Sequence, residues 1–212
     1  MSNKLGNIDF YMITDSNFTR NGVISDVKNA LRAGCRIVQY REKNKSVKDM
    51  IREAKQLKKL CFKKATFLIN DRIDVALAVD ADGVHIGQDD MDFEIVKRLL
   101  GKDKIIGQTV HNPVEAFEAK RLGLDYIGVA PIFKTDTKID ANKPCGIEMI
   151  KRIRKKVNLP IVAVGGIDKK NVNDVVLSGA DSIVSIKAVL NSDDVYNEIK
   201  DFIRIIGECK SI

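Results

Sequence analysis

Short apolar runs rich in Ile and Val alternate with longer segments of helical spacing, and the alternation repeats eight times along the chain. The runs fall at Phe10 to Ile13, Arg36 to Gln39, Thr66 to Ile69, Gly83 to Ile86, Lys104 to Gly107, Tyr126 to Val129, Ile161 to Val164 and Ser182 to Ile186. Buried on both faces, such runs read as parallel strands. Between them, sets such as Val47-Met50-Ile51-Ala54-Leu57 and Val195-Ile199-Phe202-Ile203 carry the apolar stripe of a helix packed on a sheet. The segment between Arg72 and Asp80 leaves room for a short helix only. Helix stops recur at Ala33-Gly34-Cys35, Leu122-Gly123-Leu124-Asp125 and Ser178-Gly179-Ala180-Asp181, each turning directly into a strand. Eight strand-helix units without a Gly/Ser/Pro-rich break predict an α/β fold, a single (β/α)8 TIM barrel over residues 1–212. An open flavodoxin-type sheet is the alternative, and it normally has fewer units.

Composition narrows the function classes. The chain has 212 residues, 44% of them apolar, and no run approaches the roughly 18 residues of a membrane span. Met1 to Asp9 is polar and the run Phe10 to Ile13 is too short for a signal peptide, so a cytoplasmic protein is expected. Cys35, Cys61, Cys145 and Cys209 are widely spaced, with no C-x-x-C pair and no histidines to complete a zinc set. The net charge of +7 is spread over helix-like stretches where lysines mix with acids, with few aromatics between them. That pattern argues against nucleic acid and suits an anionic small molecule.

In a barrel, chemistry sits where the strands end. Leu68-Ile69-Asn70-Asp71-Arg72 and Gly83-Val84-His85-Ile86-Gly87-Gln88-Asp89-Asp90 end neighbouring strands with carboxylates. On one rim, Asp71 and Asp90 together with a substrate diphosphate could hold Mg²⁺; alternatively each caps the helix that follows it. The other strand ends supply Gln39, Arg41 and Lys43; Asn70; Gln88; Thr109 and His111; Thr135, Thr137 and Lys138; Gly165 and Gly166; and Ile186 with Lys187. Three cations, two carboxylates and several amide and hydroxyl groups resemble a diphosphate site. Val164-Gly165-Gly166-Ile167 and Ser185-Ile186-Lys187-Ala188 follow strands seven and eight, where many barrels bind phosphate through backbone amides. A plain glycine turn is the simpler reading of the first. His111 is either a proton-transfer group or a hydrogen-bonded residue at the start of the helix near Pro113, the latter preferred. His85, inside a strand, reads as a satisfied buried histidine.

These segments resemble thiamine phosphate synthase over Phe10 to about Leu190. The resemblance is carried by Tyr11-Met12-Ile13-Thr14-Asp15, Val38-Gln39-Tyr40-Arg41-Glu42-Lys43, Leu68-Ile69-Asn70-Asp71-Arg72, Asp82-Gly83-Val84-His85-Ile86-Gly87-Gln88, Pro131-Ile132-Phe133-Lys134-Thr135-Asp136-Thr137-Lys138 and Val164-Gly165-Gly166-Ile167. It implies a transferase that condenses hydroxymethylpyrimidine diphosphate with hydroxyethylthiazole phosphate, releasing diphosphate, with Mg²⁺ as cofactor. By position, Gln39, Arg41, Lys43, Asn70 and Lys138 would hold the pyrimidine diphosphate, Asp71 and Asp90 its Mg²⁺, and Thr109 the family's serine-type hydroxyl. Arg41, Lys43, Thr109 and Lys138 would be the catalytic set. Thr135 and Thr137 would line the thiazole side, with amides at Gly166, Ile186 and Lys187 on the thiazole phosphate. In this family the pyrimidine methylene is thought to leave as a carbocation, a step that needs charge stabilisation of the departing diphosphate more than a general base. Two departures stand out: Lys187 where serine is common, and Gln108-Thr109 in place of a small apolar residue and serine.

Two other readings compete. A thiazole tautomerase of the same fold would use His111, but has no evident reason to keep Thr135-x-Thr137-Lys138 and both carboxylates. A non-catalytic sensor of a phosphorylated ligand is the second, since fold alone does not establish activity. The expected partners are the two small-molecule substrates, with no nucleic acid and no membrane; a homo-oligomer is compatible with the sequence.

Overall fold

Alternation of side-chain direction along each strand divides the apolar residues into two clusters and builds the molecule around one sheet. The computed structural model describes residues 5–6, 8–137 and 143–211. Its elements run β1 (Tyr11–Ile13), α1 (Val23–Ala33), β2 (Ile37–Tyr40), α2 (Val47–Cys61), β3 (Thr66–Asn70), α3 (Ile73–Ala78), β4 (Gly83–Ile86) and α4 (Phe93–Leu100). They continue with β5 (Ile105–Val110), α5 (Pro113–Leu122), β6 (Tyr126–Val129), α6 (Ile147–Arg154), β7 (Ile161–Val164), α7 (Val172–Leu177), β8 (Ser182–Val184), α8 (Lys187–Leu190) and α9 (Val195–Lys210). The eight strands are all parallel and lie in sequence order. A bridge between Phe10 and Ile183, with the Ile183 N–H donating to Asp9 O at 3.2 Å, brings the last strand against the first. The open-sheet alternative is thereby excluded.

Tyr11, Ile37, Leu68, Ile105, Tyr126, Val162 and Val184 point into the barrel and cluster there with Leu5 and Ile8. Their strand neighbours Met12, Val38, Ile69, Ile106, Ile127, Ala163 and Ile183 point outward into the larger core beneath the helices. Each fully buried Ile or Leu in that outer layer contributes roughly 1.5–3 kcal/mol, so the helices are held mainly by their apolar stripes. Phe202 and Ile199 of α9 are fully buried, and α9 packs on α1 and α7 across the seam between β8 and β1. Gly107 makes room for the ring that fills the barrel centre, since a Cβ there would lie 2.1 Å from Tyr126. The helix stops at Gly34 and Gly123 are left-handed caps, as their sequence context predicts.

Differences from the sequence reading are local. β5 runs on to Val110, because Thr109 and Val110 pair with Gly128 and Val129. β8 stops at Val184, and Ile186 is instead the N-cap of the four-residue helix α8, too short to leave a periodic signal.

Candidate active site

Because neighbouring strands are parallel, their C-terminal ends share one face, and a cavity of about 520 Å³ opens there. The β2 end supplies two of its cations. Arg41 and Lys43 stand on the β2–α2 turn, which is organised by the buried Glu42 carboxylate. Its Oε1 accepts from the N–H groups of Lys43 and Asn44 at 2.8 Å and from Ser16 Oγ at 3.1 Å. Burial pushes the Glu42 pKa up, but these hydrogen bonds and the nearby Lys45 charge win and hold it below the usual carboxylate range. The Arg41 guanidinium pairs with the buried Asp15, and the Arg41 N–H donates to Thr14 Oγ1 at 2.9 Å.

Asn70 and Asp71 end β3. Asp71 adopts φ 58°, a left-handed conformation that Asp tolerates, and its N–H donates to His85 O at 2.9 Å. Lys43 Nζ donates to Asp71 Oδ2 at 2.5 Å, and Asn70 Nδ2 donates to Oδ1 at 2.8 Å. Asp90 lies past β4, where its Oδ2 accepts from the Gly87 N–H at 2.6 Å. Burial raises the Asp71 pKa, Lys43 opposes the rise, and the Asp90 carboxylate adds to it. Two carboxylates that repel each other at a pocket wall, with all-oxygen donors, suit a hard divalent cation. Among the described residues no group of three or more His, Cys, Asp or Glu is placed to hold a metal, so a cation here would complete its shell from ligand oxygens and water. The capping alternative fails for both: the N-caps of α3 and α4 are Arg72 and Asp92.

The floor is formed by Gln39, His85 and Thr109. His85 is hydrogen-bonded at both ring nitrogens, to Tyr126 and to Thr109, as a satisfied buried histidine should be. Burial pushes its pKa down to about 4, so the ring is neutral near pH 7. Across the cavity, the turn after β7 packs tightly on the β6–α6 segment. A Cβ on Gly166, which has φ 63°, would lie 2.6 Å from Lys134 O, so only glycine fits. Thr135 and Thr137 stand beside this turn, the Thr137 N–H donating to Thr135 Oγ1 at 3.2 Å. At α8 the first intrahelical bonds are made by Val189 and Leu190 to Ile186 O, which leaves the N–H groups of Lys187 and Ala188 ahead of the helical ladder. Lys187 Nζ pairs with Asp136 and sits 6.0 Å from the Phe18 ring centroid.

The described candidates other than Gln88 line one cavity: Gln39 and Thr109 at its floor, Arg41, Lys43, Asn70 and the Asp71 and Asp90 carboxylates on one wall, and Thr135, Thr137, Gly166, Ile186 and Lys187 opposite; Gln88 donates instead to Thr109 O at 2.6 Å. Lys138 lies outside the described residues. His111 also borders the cavity, but its Nδ1 is 3.0 Å from Glu115 Oε2 and its backbone N–H donates to the same oxygen, which anchors it at the start of α5. Sequence reasoning assigned no role to Asp15 and Glu42, which position Arg41 and Lys43, or to the interior pair Tyr11 and Tyr126. Period-two alternation places both tyrosines inward, but only the closed barrel reveals what they meet.

The family model for thiamine monophosphate synthase matches residues 10–189. A thiamine-phosphate synthase of Methanosarcina mazei is 55% identical over 206 residues, covering 97% of this chain and 86% of that protein. One from Clostridium perfringens is 45% identical over 199 residues, covering 93% and 96%. Among solved structures, a thiamine phosphate pyrophosphorylase of Pyrococcus furiosus superposes with a TM-score of 0.87 at 36% identity, covering 96% of this chain and 97% of that one.

Proposed function

This chain belongs to the thiamine monophosphate synthase family and is a transferase that makes thiamine phosphate, and from that premise we propose how its rim divides the work. The substrates are hydroxymethylpyrimidine diphosphate and hydroxyethylthiazole phosphate, and diphosphate is released. The observation that carries the assignment is the polarity of the cavity, with Arg41, Lys43 and two carboxylates on one wall and helix-start amides on the other. Arg41 and Lys43, held by Asp15 and Asp71, donate to the diphosphate as its C–O bond lengthens. Asp71 and Asp90 would hold Mg²⁺, which supplies neutralising charge to the leaving diphosphate. Asn70 steers Asp71 through its amide, Lys138 adds a third cation to the same group, and Thr109 and Gln39 meet the pyrimidine from below. On the opposite side Thr135 and Thr137 border the thiazole, and the amides at Gly166, Ile186 and Lys187 receive its phosphate.

No step in this account needs a base to remove a proton from carbon, and His111, anchored to Glu115, is a structural residue. No described helix is long and apolar enough to cross a membrane. Both partners are small molecules, in keeping with a cavity and not a basic stripe, and the protein acts in the cytoplasm. The test is to incubate the protein with both substrates and Mg²⁺ and look for thiamine phosphate. Its formation supports the assignment. Tautomerisation of the thiazole carboxylate phosphate without condensation, or binding without turnover, contradicts it.

A further inference from the structure

Beneath the cavity a chain of hydrogen bonds crosses the barrel interior from one proposed pyrimidine contact to the other. Gln39 Nε2 donates to the Tyr11 hydroxyl at 2.7 Å, and the hydroxyls of Tyr11 and Tyr126 are 2.8 Å apart. Tyr126 Oη lies 2.9 Å from His85 Nδ1, and His85 Nε2 lies 2.9 Å from Thr109 Oγ1. The chain draws one residue from each of β2, β1, β6, β4 and β5. Tyr11 and Tyr126 are almost wholly inaccessible, whereas Gln39, His85 and Thr109 reach the cavity. The backbone leaves space for the imidazole, since a Cβ on Gly128 would lie only 3.1 Å from His85 Cε1.

Proton counting gives this chain a direction. A tyrosine hydroxyl has one proton, and a neutral imidazole has one N–H and one acceptor nitrogen. With Gln39 donating to Tyr11, the arrangement that gives every buried hydroxyl proton an acceptor sends the Tyr11 proton to Tyr126 and the Tyr126 proton to His85 Nδ1. The ring N–H is then at Nε2 and points to Thr109 Oγ1. Thr109 receives that bond, so its own hydroxyl proton is directed elsewhere, toward the cavity. At the other end, one Gln39 amide hydrogen is given to Tyr11, which fixes the amide plane and presents Oε1 as its acceptor atom beside the second N–H.

We propose that His85, with Tyr11 and Tyr126, is a positioning relay that sets Thr109 as a hydrogen-bond donor and Gln39 as an acceptor toward the heterocycle. The relay rests on the synthase reading and extends it, because it assigns work to three residues that touch no reacting atom. The floor it creates selects a planar ring that offers an acceptor nitrogen to one contact and an N–H to the other. A ring that offers Thr109 an N–H in place of an acceptor would leave its buried hydroxyl donor unpaired. Because the chain is satisfied end to end, removing the Tyr126 hydroxyl frees the His85 ring and through it disturbs Thr109, while Gln39 keeps its bond to Tyr11.

Tyr126→Phe tests this by removing one oxygen while keeping the ring that fills the barrel. It should lower kcat/KM for the pyrimidine diphosphate about tenfold, the loss expected when a buried bond is left unmade, and leave the KM for the thiazole phosphate within about twofold. The decisive comparison is the same change in a Thr109→Val background, where it should cost less than about threefold because its target is gone. Tyr11→Phe instead removes the partner of Gln39, and if Tyr126→Phe does not fold it is read in the same way with a Gln39→Met background in place of Thr109→Val. An equal loss in both backgrounds, or an equal effect on both substrates, would show that the tyrosines only fill space and would overturn the relay. Wild-type protein that makes no thiamine phosphate overturns the function instead. In that case the same cycle is read by calorimetry with hydroxymethylpyrimidine diphosphate, and additive losses or no binding at all overturn the relay.

Discussion

Asp71→Asn separates the electrostatic role of the rim from its structural role. The left-handed backbone at Asp71 suits Asn equally well, and an Asn oxygen can still accept from Asn70 Nδ2. What is lost is the charge facing Lys43, whose side chain is 48% exposed, so the ion pair contributes at most about 1 kcal/mol to folding. Removal of the repulsion from Asp90 and of the burial penalty, which together raise the Asp71 pKa, offsets much of that. The expected change in magnesium-free stability is therefore below about 1 kcal/mol. Activity should respond very differently. One of two metal carboxylates is gone and Lys43 has lost its anchor, so the departing diphosphate is less well neutralised. A loss of about 100- to 1,000-fold in kcat is expected, the range for removing one preorganised electrostatic stabiliser. The assay is steady-state thiamine phosphate formation across a magnesium titration, with urea unfolding of the same preparations. A variant that keeps kcat within tenfold of wild type, with or without chelator, would refute the metal assignment. A variant that unfolds several kcal/mol more easily would refute the claim that Asp71 is there for charge and not for the fold.

Three further outcomes are expected. Arg41→Ala, which leaves the buried Asp15 without its cation, should lower kcat/KM tenfold to a thousandfold and weaken the pyrimidine diphosphate more than the thiazole phosphate; equal weakening in kinetics with each substrate varied would contradict the partition. His111→Gln should cost at most about tenfold in condensation, whereas loss of an acid-base group costs a hundredfold or more, so assays of condensation and tautomerisation distinguish the two roles. His85 has a folded pKa near 4, below its ordinary value of 6.5, so its contribution to stability is full above pH 6.5 and is lost as pH falls toward 4. The loss is on the order of 3 kcal/mol at most, reduced by the ring's partial exposure to the cavity, and urea melts at pH 7 and 4.5 should show a shallower pH dependence for His85→Gln; identical dependences would contradict it.

Much of the fold was legible because strand and helix leave different periods. Gly83 to Ile86, Tyr126 to Val129 and Ile161 to Val164 are strands with the boundaries their apolar runs mark. Where the run and the strand disagree, pairing decides: Tyr40 joins β2 through Ile69, and Thr109 joins β5 through Gly128, although polarity had ended the latter run. The rim was legible for a related reason, since a polar residue following a buried parallel strand must lie at its C-terminal end. Closure, by contrast, depends on Phe10 meeting Ile183, residues with no local trace of each other. The carboxylates that hold the cations and the interior chain through Tyr11, Tyr126 and His85 are likewise long-range. Alternation can say that these side chains face inward, but not which of them meet.

The most direct test of the account is the release of diphosphate from hydroxymethylpyrimidine diphosphate, measured with thiazole phosphate present, as magnesium is titrated from chelated to saturating. Diphosphate and thiamine phosphate should appear in equal amounts, at a rate that rises with magnesium in the wild type and stays low throughout in Asp71→Asn and Asp90→Asn. Diphosphate release at full rate with magnesium chelated, or condensation undiminished in both variants, would contradict a site organised around charge at the departing diphosphate.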